Sequence, residues 1–149
     1  MRETLGLSDC VTFLGSISSG KVREYMERAS IYLFTSDRQE GWGAVLNEAM
    51  NSGCAIIASH LAGSTPYLIQ NGENGMIYHS GDLKALYQSL EILLENPGIQ
   101  YELGLKAYET IINEWNAEVA AERLLSLSEY ILEGKEFNEL FRSGPCSKA

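Results

Sequence analysis

Short apolar runs alternate with stretches of helical period along the first two thirds of the chain. VTFLG (11–15) reads as a buried strand closed by Gly15, and the small residues from Ser16 to Gly20 read as a loop. KVREYMERAS follows with Val22, Tyr25 and Met26 at helical spacing. IYLFTS (31–36) repeats the strand signal and opens into a glycine-broken loop. Residues 44–52 form a short helix with Val45, Leu46, Ala49 and Met50 toward the sheet, stopped by Gly53. CAIIAS (54–59) is a continuous apolar run, as expected for a strand covered on both faces. In HLAGSTPYLIQNGENG, Pro66 opens a short helix through Leu68 and Ile69. GMIY (75–78) is a fourth strand, and Asp82 caps a helix over 83–95.

This alternation predicts an α/β fold, a Rossmann-like three-layer α/β/α arrangement with a mostly parallel sheet of about four strands. After Pro97 the pattern turns helical only, over 98–113 and 116–133, with Leu124, Leu127 and Ile131 as the last apolar stripe. At the front, Gly6 sits where a helix would end, and Ser8-Asp9 favour a turn. Residues 1–133 thus read as one domain and 134–149 as a tail whose last stretch, SGPCSKA, is expected to fray.

Composition narrows the function classes. With 149 residues, 45% hydrophobic and 21% charged, the chain can bury a core. A net charge of -9 argues against nucleic acid or an anionic membrane as partner. Cys10, Cys54 and Cys146 are widely spaced and odd in number, which suits neither a zinc site nor a disulfide framework; no metal is expected. No run approaches a transmembrane segment and the N-terminus lacks the order of a signal peptide, so a cytoplasmic location is expected.

Open α/β sheets bind ligands at the carboxyl ends of their strands, which selects the loops 15–20, 35–43, 59–65 and 78–81. The second carries the chemistry. Gly41 and Gly43 let the backbone turn and approach a ligand, and a helix starting at Ala44 offers unpaired N–H groups to a phosphate. Glu48, one turn in, suits two neighbouring hydroxyls such as those of a ribose, with Glu40 facing the other end of the ligand. Each residue also has a plainer reading. Glu40 alone is a favourable dipole partner, Glu48 alone a solvated helix face, Trp42 a packing residue, and Lys21 and Arg38 surface charge. His60 reads more readily as a loop histidine satisfied by backbone than as a proton carrier, and 71–75 as a tight turn.

EGWGAVLNEAMNSGCAIIAS resembles the E-x7-E segment of GT-B retaining glycosyltransferases of the large family 4 group. Trp42 replaces the usual Phe, and Cys54-Ala55-Ile56-Ile57 stands where x-Pro-Val-Val is common. VTFLG, IYLFTS, NGENGMIY and the two last helices follow in family order, so the resemblance covers residues 5 to about 133. It implies the C-terminal, donor-binding domain, with a nucleotide-sugar as substrate and no cofactor. Carried over by motif, Glu48 bonds the ribose, Glu40 bonds the donor sugar as the catalytic candidate, and Gly41, Trp42, Gly43 and Ala44 meet the sugar and diphosphate. Gly15, Ser16 and Ile17 lie against the base. The family has no firmly established protein nucleophile; the leaving diphosphate is thought to assist a front-face attack.

Two departures qualify the resemblance. Gly63-Ser64-Thr65-Pro66-Tyr67 stands where the family often has Gly-Gly-x-x-Glu, placing Tyr67 at an acidic position. The family's two preceding strands, their Arg and Lys pair and the N-terminal acceptor domain have no counterpart here. The resemblance therefore implies an N-terminally truncated domain, inactive alone. In the family strand order 3-2-1-4-5-6, VTFLG would be left beside a gap, and is expected to pair with IYLFTS or to find a partner chain through the exposed sheet edge. The alternative is a non-catalytic nucleotide or sugar-phosphate binding module or a regulatory remnant. A dinucleotide-dependent oxidoreductase is set aside for lack of GxGxxG.

Overall fold

The structure is a computed structural model that describes residues 2–135 and 140–147. Its elements in chain order are α1 (Ser19–Arg28), β1 (Ile31–Phe34), α2 (Ala44–Asn51), β2 (Ala55–Ser59), α3 (Thr65–Leu68), β3 (Met76–Tyr78), α4 (Leu83–Glu95), α5 (Pro97–Asn113) and α6 (Ala117–Leu132). The three strands form a parallel sheet in the order β1-β2-β3, with Ile31 opposite Ala55 and Ile57 opposite Met76.

Every residue of the central strand β2 is buried, which is why its sequence is an unbroken run of Ala, Ile and Ser. Alternate side chains divide between two cores. Ile56 and Ala58 join Met26, Phe34, Leu46, Ala49, Met50, Ala107 and Ile111 on the α1/α2 face. Ala55 and Ile57 join Tyr78, Leu93 and Leu103 on the α4 face. Helices thus cover both sides of the sheet in three layers.

Helix ends follow local chemistry. Ser18, Asp82 and Asn116 cap α1, α4 and α6 by accepting from Lys21, Ala85 and Val119 N–H groups. Gly53, at φ +76°, closes α2 with its own N–H on the Met50 carbonyl and that of Cys54 on the Ala49 carbonyl. At Gly6 the expected helix end is only a turn, residues 2–6 forming no helix: Gly6 N–H donates to the Glu3 carbonyl and Leu7 N–H to that of Arg2.

The first of the four expected strands does not form. Residues 11–15 have no strand pairing among the described residues, and β1 pairs only with β2, so VTFLG is not laid on IYLFTS either. Instead Val11 N–H donates to the Leu7 carbonyl, the Val11 carbonyl accepts from Arg2 Nη1, and Phe13 is 75% exposed under the Arg2 guanidinium. An apolar run becomes a strand only where a neighbour completes its ladder and a layer covers it. VTFLG has neither.

The tail also departs from expectation. Arg123 donates to the Ser143 and Pro145 carbonyls and lies over the Phe141 ring, and Ser143 Oγ donates to Glu114. Residues 141–145 are therefore packed on the α5–α6 junction rather than frayed. Lys148 and Ala149, also expected to fray, lie outside the described residues. Among the described residues no helix is long and apolar enough to cross a membrane.

Candidate functional site

The loop between β1 and α2 is built by its own side chains and by one glycine. Asp37 Oδ1 accepts from Gln39 N–H at 2.8 Å, and the Asp37 carbonyl accepts from Glu40 N–H at 3.1 Å, which folds the loop back as a tight turn. Ser36 Oγ donates to Glu40 Oε2 at 3.3 Å. Gly43 then adopts φ +76°, ψ 58°. A Cβ there would lie 2.5 Å from Phe34 Cζ and 3.1 Å from Glu40 Cγ, so both conformation and space require glycine. No side chain caps α2 at Gly43. The first-turn amides of Ala44 and Val45 consequently have no capping acceptor, and carry the positive end of the helix dipole beside Glu40.

The loop after β2 locks onto this turn. Ser64 N–H donates to the Trp42 carbonyl at 2.9 Å, and a Cβ at Gly63 would fall 1.7 Å from the Gly41 carbonyl oxygen. The two loops are in backbone contact. A Cβ at Gly41 would meet nothing within 4 Å, so the backbone there borders open space. Ser64 and Thr65 are fully buried, and neither hydroxyl has a hydrogen-bond partner.

Of the predicted residues, Glu40, Gly41, Gly43 and Ala44 come together at the start of α2. Glu40 opens into a 410 Å³ concavity with Thr35, Ser36, Asp37 and Gln39. Glu48, on the second turn of α2, lines a different cleft of 240 Å³ with Ser19, Arg23, Met26, Glu27, Asn51 and Ser52. The two carboxylates thus face separate concavities at the two ends of one short helix turn. Gly15 and Ser16 are exposed and Ile17 half-buried ahead of α1; none of them lines the Glu48 cleft, which Ser19 enters from the same segment.

Trp42 takes the packing role. Its Nε1–H donates to Asn47 Oδ1 at 2.9 Å, and its ring lies 5.6 Å from that of Tyr67 and 5.5 Å from that of Trp115. His60 is held by backbone, Nδ1 accepting from Ser80 N–H at 3.0 Å, with the His79 ring 4.5 Å away.

Sequence reasoning missed Tyr32. Burial pushes its phenol above the ordinary range, and the charges of Cys54, Glu48 and Glu40 push in the same direction. Tyr32 therefore lies within the field of both glutamates and keeps its proton as a donor at neutral pH. Cys54, raised by burial alone, directs its thiol at the Met26 and Ala29 carbonyls and is a packing residue. Among the described residues no group of three or more His, Cys, Asp or Glu side chains is disposed to hold a metal.

The family model described as glycosyl transferases group 1 matches residues 1–110. The lipopolysaccharide core biosynthesis mannosyltransferase LpcC of Rhizobium leguminosarum bv. viciae is 33% identical over 118 residues, covering 79% of this chain and 31% of its own length. The C-terminal domain of a glycosyl transferase group 1 family protein (LpcC) from Francisella tularensis superimposes with a TM-score of 0.68 at 26% identity, covering 74% of this chain and 56% of that one. Sucrose-phosphate synthase from Thermosynechococcus elongatus gives 0.74 at 25% identity, covering 90% and 33%. The chain spans about a third of the length of the curated relatives it matches. With a parallel sheet flanked by helices and a family match over most of its length, the chain belongs to the glycosyl transferases group 1 family.

Proposed function

We propose that residues 1–133 are the donor-binding unit of a retaining glycosyltransferase that uses a nucleotide-sugar. The observation that carries this reading is the uncapped start of α2, turned at Gly43 against Glu40, with Glu48 one turn further on. Amides and helix dipole there suit a diphosphate. On that placement Glu40 holds the donor sugar, Glu48 the ribose, Gly41 to Ala44 the sugar and diphosphate, and Gly15 to Ile17 lie on the base side.

In the proposed reaction the bond from the sugar C1 to the diphosphate oxygen breaks and a bond from the acceptor oxygen to C1 forms on the same face. The acceptor proton passes to the departing diphosphate, and Glu40 positions the sugar rather than attacking it. No cofactor or metal enters the scheme. The 149 residues alone are proposed to bind donor without transferring, since the acceptor would be held by the parts of a longer enzyme that the relatives have beyond the matched third of their length. The edge of β1, unpaired among the described residues and with Leu33 40% exposed, supports pairing there with a partner strand. Exposed free thiols at Cys10 and Cys146 fit the reducing cytoplasm.

Calorimetric titration with UDP-, GDP- and ADP-sugars tests the site. We expect saturable binding of at least one, lost in Glu48→Gln with an unchanged thermal midpoint, because Glu48 is exposed and holds no ion pair among the described residues. Binding indifferent to Glu48→Gln, or silence toward all three, would overturn the reading.

A further inference from the structure

The Glu48 cleft carries a second feature that the donor reading leaves unexplained. Arg23 and Glu27 stand one turn apart on α1 and line the same 240 Å³ space, with Ser19 before them and the buried Met26 between. They are not spent on one another. Ion pairs within 4.0 Å among the described residues are Lys21–Glu24, Arg123–Glu114 and Lys135–Glu133, so neither Arg23 nor Glu27 nor Glu48 is paired. The cleft thus offers a planar five-donor cation, an acceptor-only carboxylate and an apolar thioether on one helix face, all next to the carboxylate assigned to the ribose. At 240 Å³ it is smaller than the roughly 300–1,000 Å³ of pockets that take a whole ligand, and suits one end of an extended one.

We propose that this cleft is a base pocket selective for guanine, with Arg23 and Glu27 as the selecting residues, so that the donor is a guanosine diphosphate sugar. The proposal rests on the donor-site reading and adds the identity of the base. Guanine presents two adjacent acceptors, O6 and N7, which match a bidentate guanidinium. Its N1–H and N2–H₂ form two parallel donors that match the two oxygens of a carboxylate. Uracil has a single N3–H flanked by two carbonyls, so a carboxylate gains one hydrogen bond and opposes an oxygen. Adenine sets its N6–H₂ donor beside N7, against the guanidinium, and its N1 acceptor against the carboxylate. Of these three bases, guanine alone satisfies both side chains in full.

Isothermal titration of the 149-residue chain with GDP, UDP and ADP tests this. GDP is expected to bind about tenfold or more tighter than either competitor. Arg23→Met and Glu27→Gln should each bring the GDP-to-UDP ratio toward one with an unchanged thermal midpoint, both side chains being exposed. UDP or ADP bound as tightly as GDP, or a ratio that neither variant moves, would show a solvated charge cluster and overturn the proposal. Glu48→Gln separates the two levels. Nucleotides bound without preference but lost in Glu48→Gln leave the donor site standing and remove the guanine assignment, whereas no binding by any nucleotide removes both.

Discussion

Replacing Gly43 with alanine tests whether the turn that presents α2 is held by packing as well as by conformation. The residue sits at φ +76°, where a Cβ costs about 1–2 kcal/mol through its clash with the following carbonyl. The new carbon would also lie 2.5 Å from Phe34 Cζ and 3.2 Å from Phe34 Cε1. Phe34 has little room to yield: it is 3% exposed, stacked 6.4 Å from Tyr32, and part of the core under α2. Overpacking of this kind adds about 1–3 kcal/mol, so the variant should lose roughly 2–5 kcal/mol in all. Gly53→Ala is the internal control. Gly53 has the same φ of +76° but its Cβ would meet nothing within 4 Å, so only the conformational cost of about 1–2 kcal/mol applies. Urea denaturation of both variants with a shared m-value gives the difference directly. Equal losses at Gly43 and Gly53 would refute the reading that the aromatic wall of β1 fixes the β1–α2 loop.

Two further predictions concern the scaffold. Gly104→Ala would place a carbon 2.3 Å from the Gly53 carbonyl oxygen and push α5 away from the α2–β2 turn. It should cost about 1–3 kcal/mol and lower the urea midpoint, and an unchanged midpoint would show that α5 does not seat there. Tyr32 contributes to alkaline stability together with Tyr78 and Cys54, which burial raises likewise: its folded pKa is raised above 10.0, so above that pH the unfolded chain releases the proton first. Its contribution is fully present below pH 10 and is lost as pH rises through the folded value. Tyr32→Phe should therefore flatten the fall in thermal midpoint above pH 10, and a fall as steep as in the parent chain would contradict the burial of this phenol.

What the sequence disclosed and what it withheld divide along the range of the interactions involved. The caps at Asp82 and Gly53, the buried run of β2 and the turn at Gly43 are encoded within a few residues of themselves, and each was legible as residue type at fixed spacing. The strand expected at VTFLG has the same local signature as β2. It fails because pairing is supplied by another segment, and the described residues supply none. The site divides in the same way. Glu40 and Gly43 are brought together by the intervening turn, which the glycines announce. That Glu48 opens toward α1, beside Arg23 and Glu27, depends on how α1 packs on α2 across Met26, and no spacing within either helix reports it. Tyr32 is the sharpest instance: its residue type and strand position were plain, but the groups acting on its phenol come from the β1–α2 loop, α2 and the residue before β2. The surroundings of a strand tyrosine are set by packing across several elements, so a sequence yields the parts of such an arrangement before it yields their neighbours.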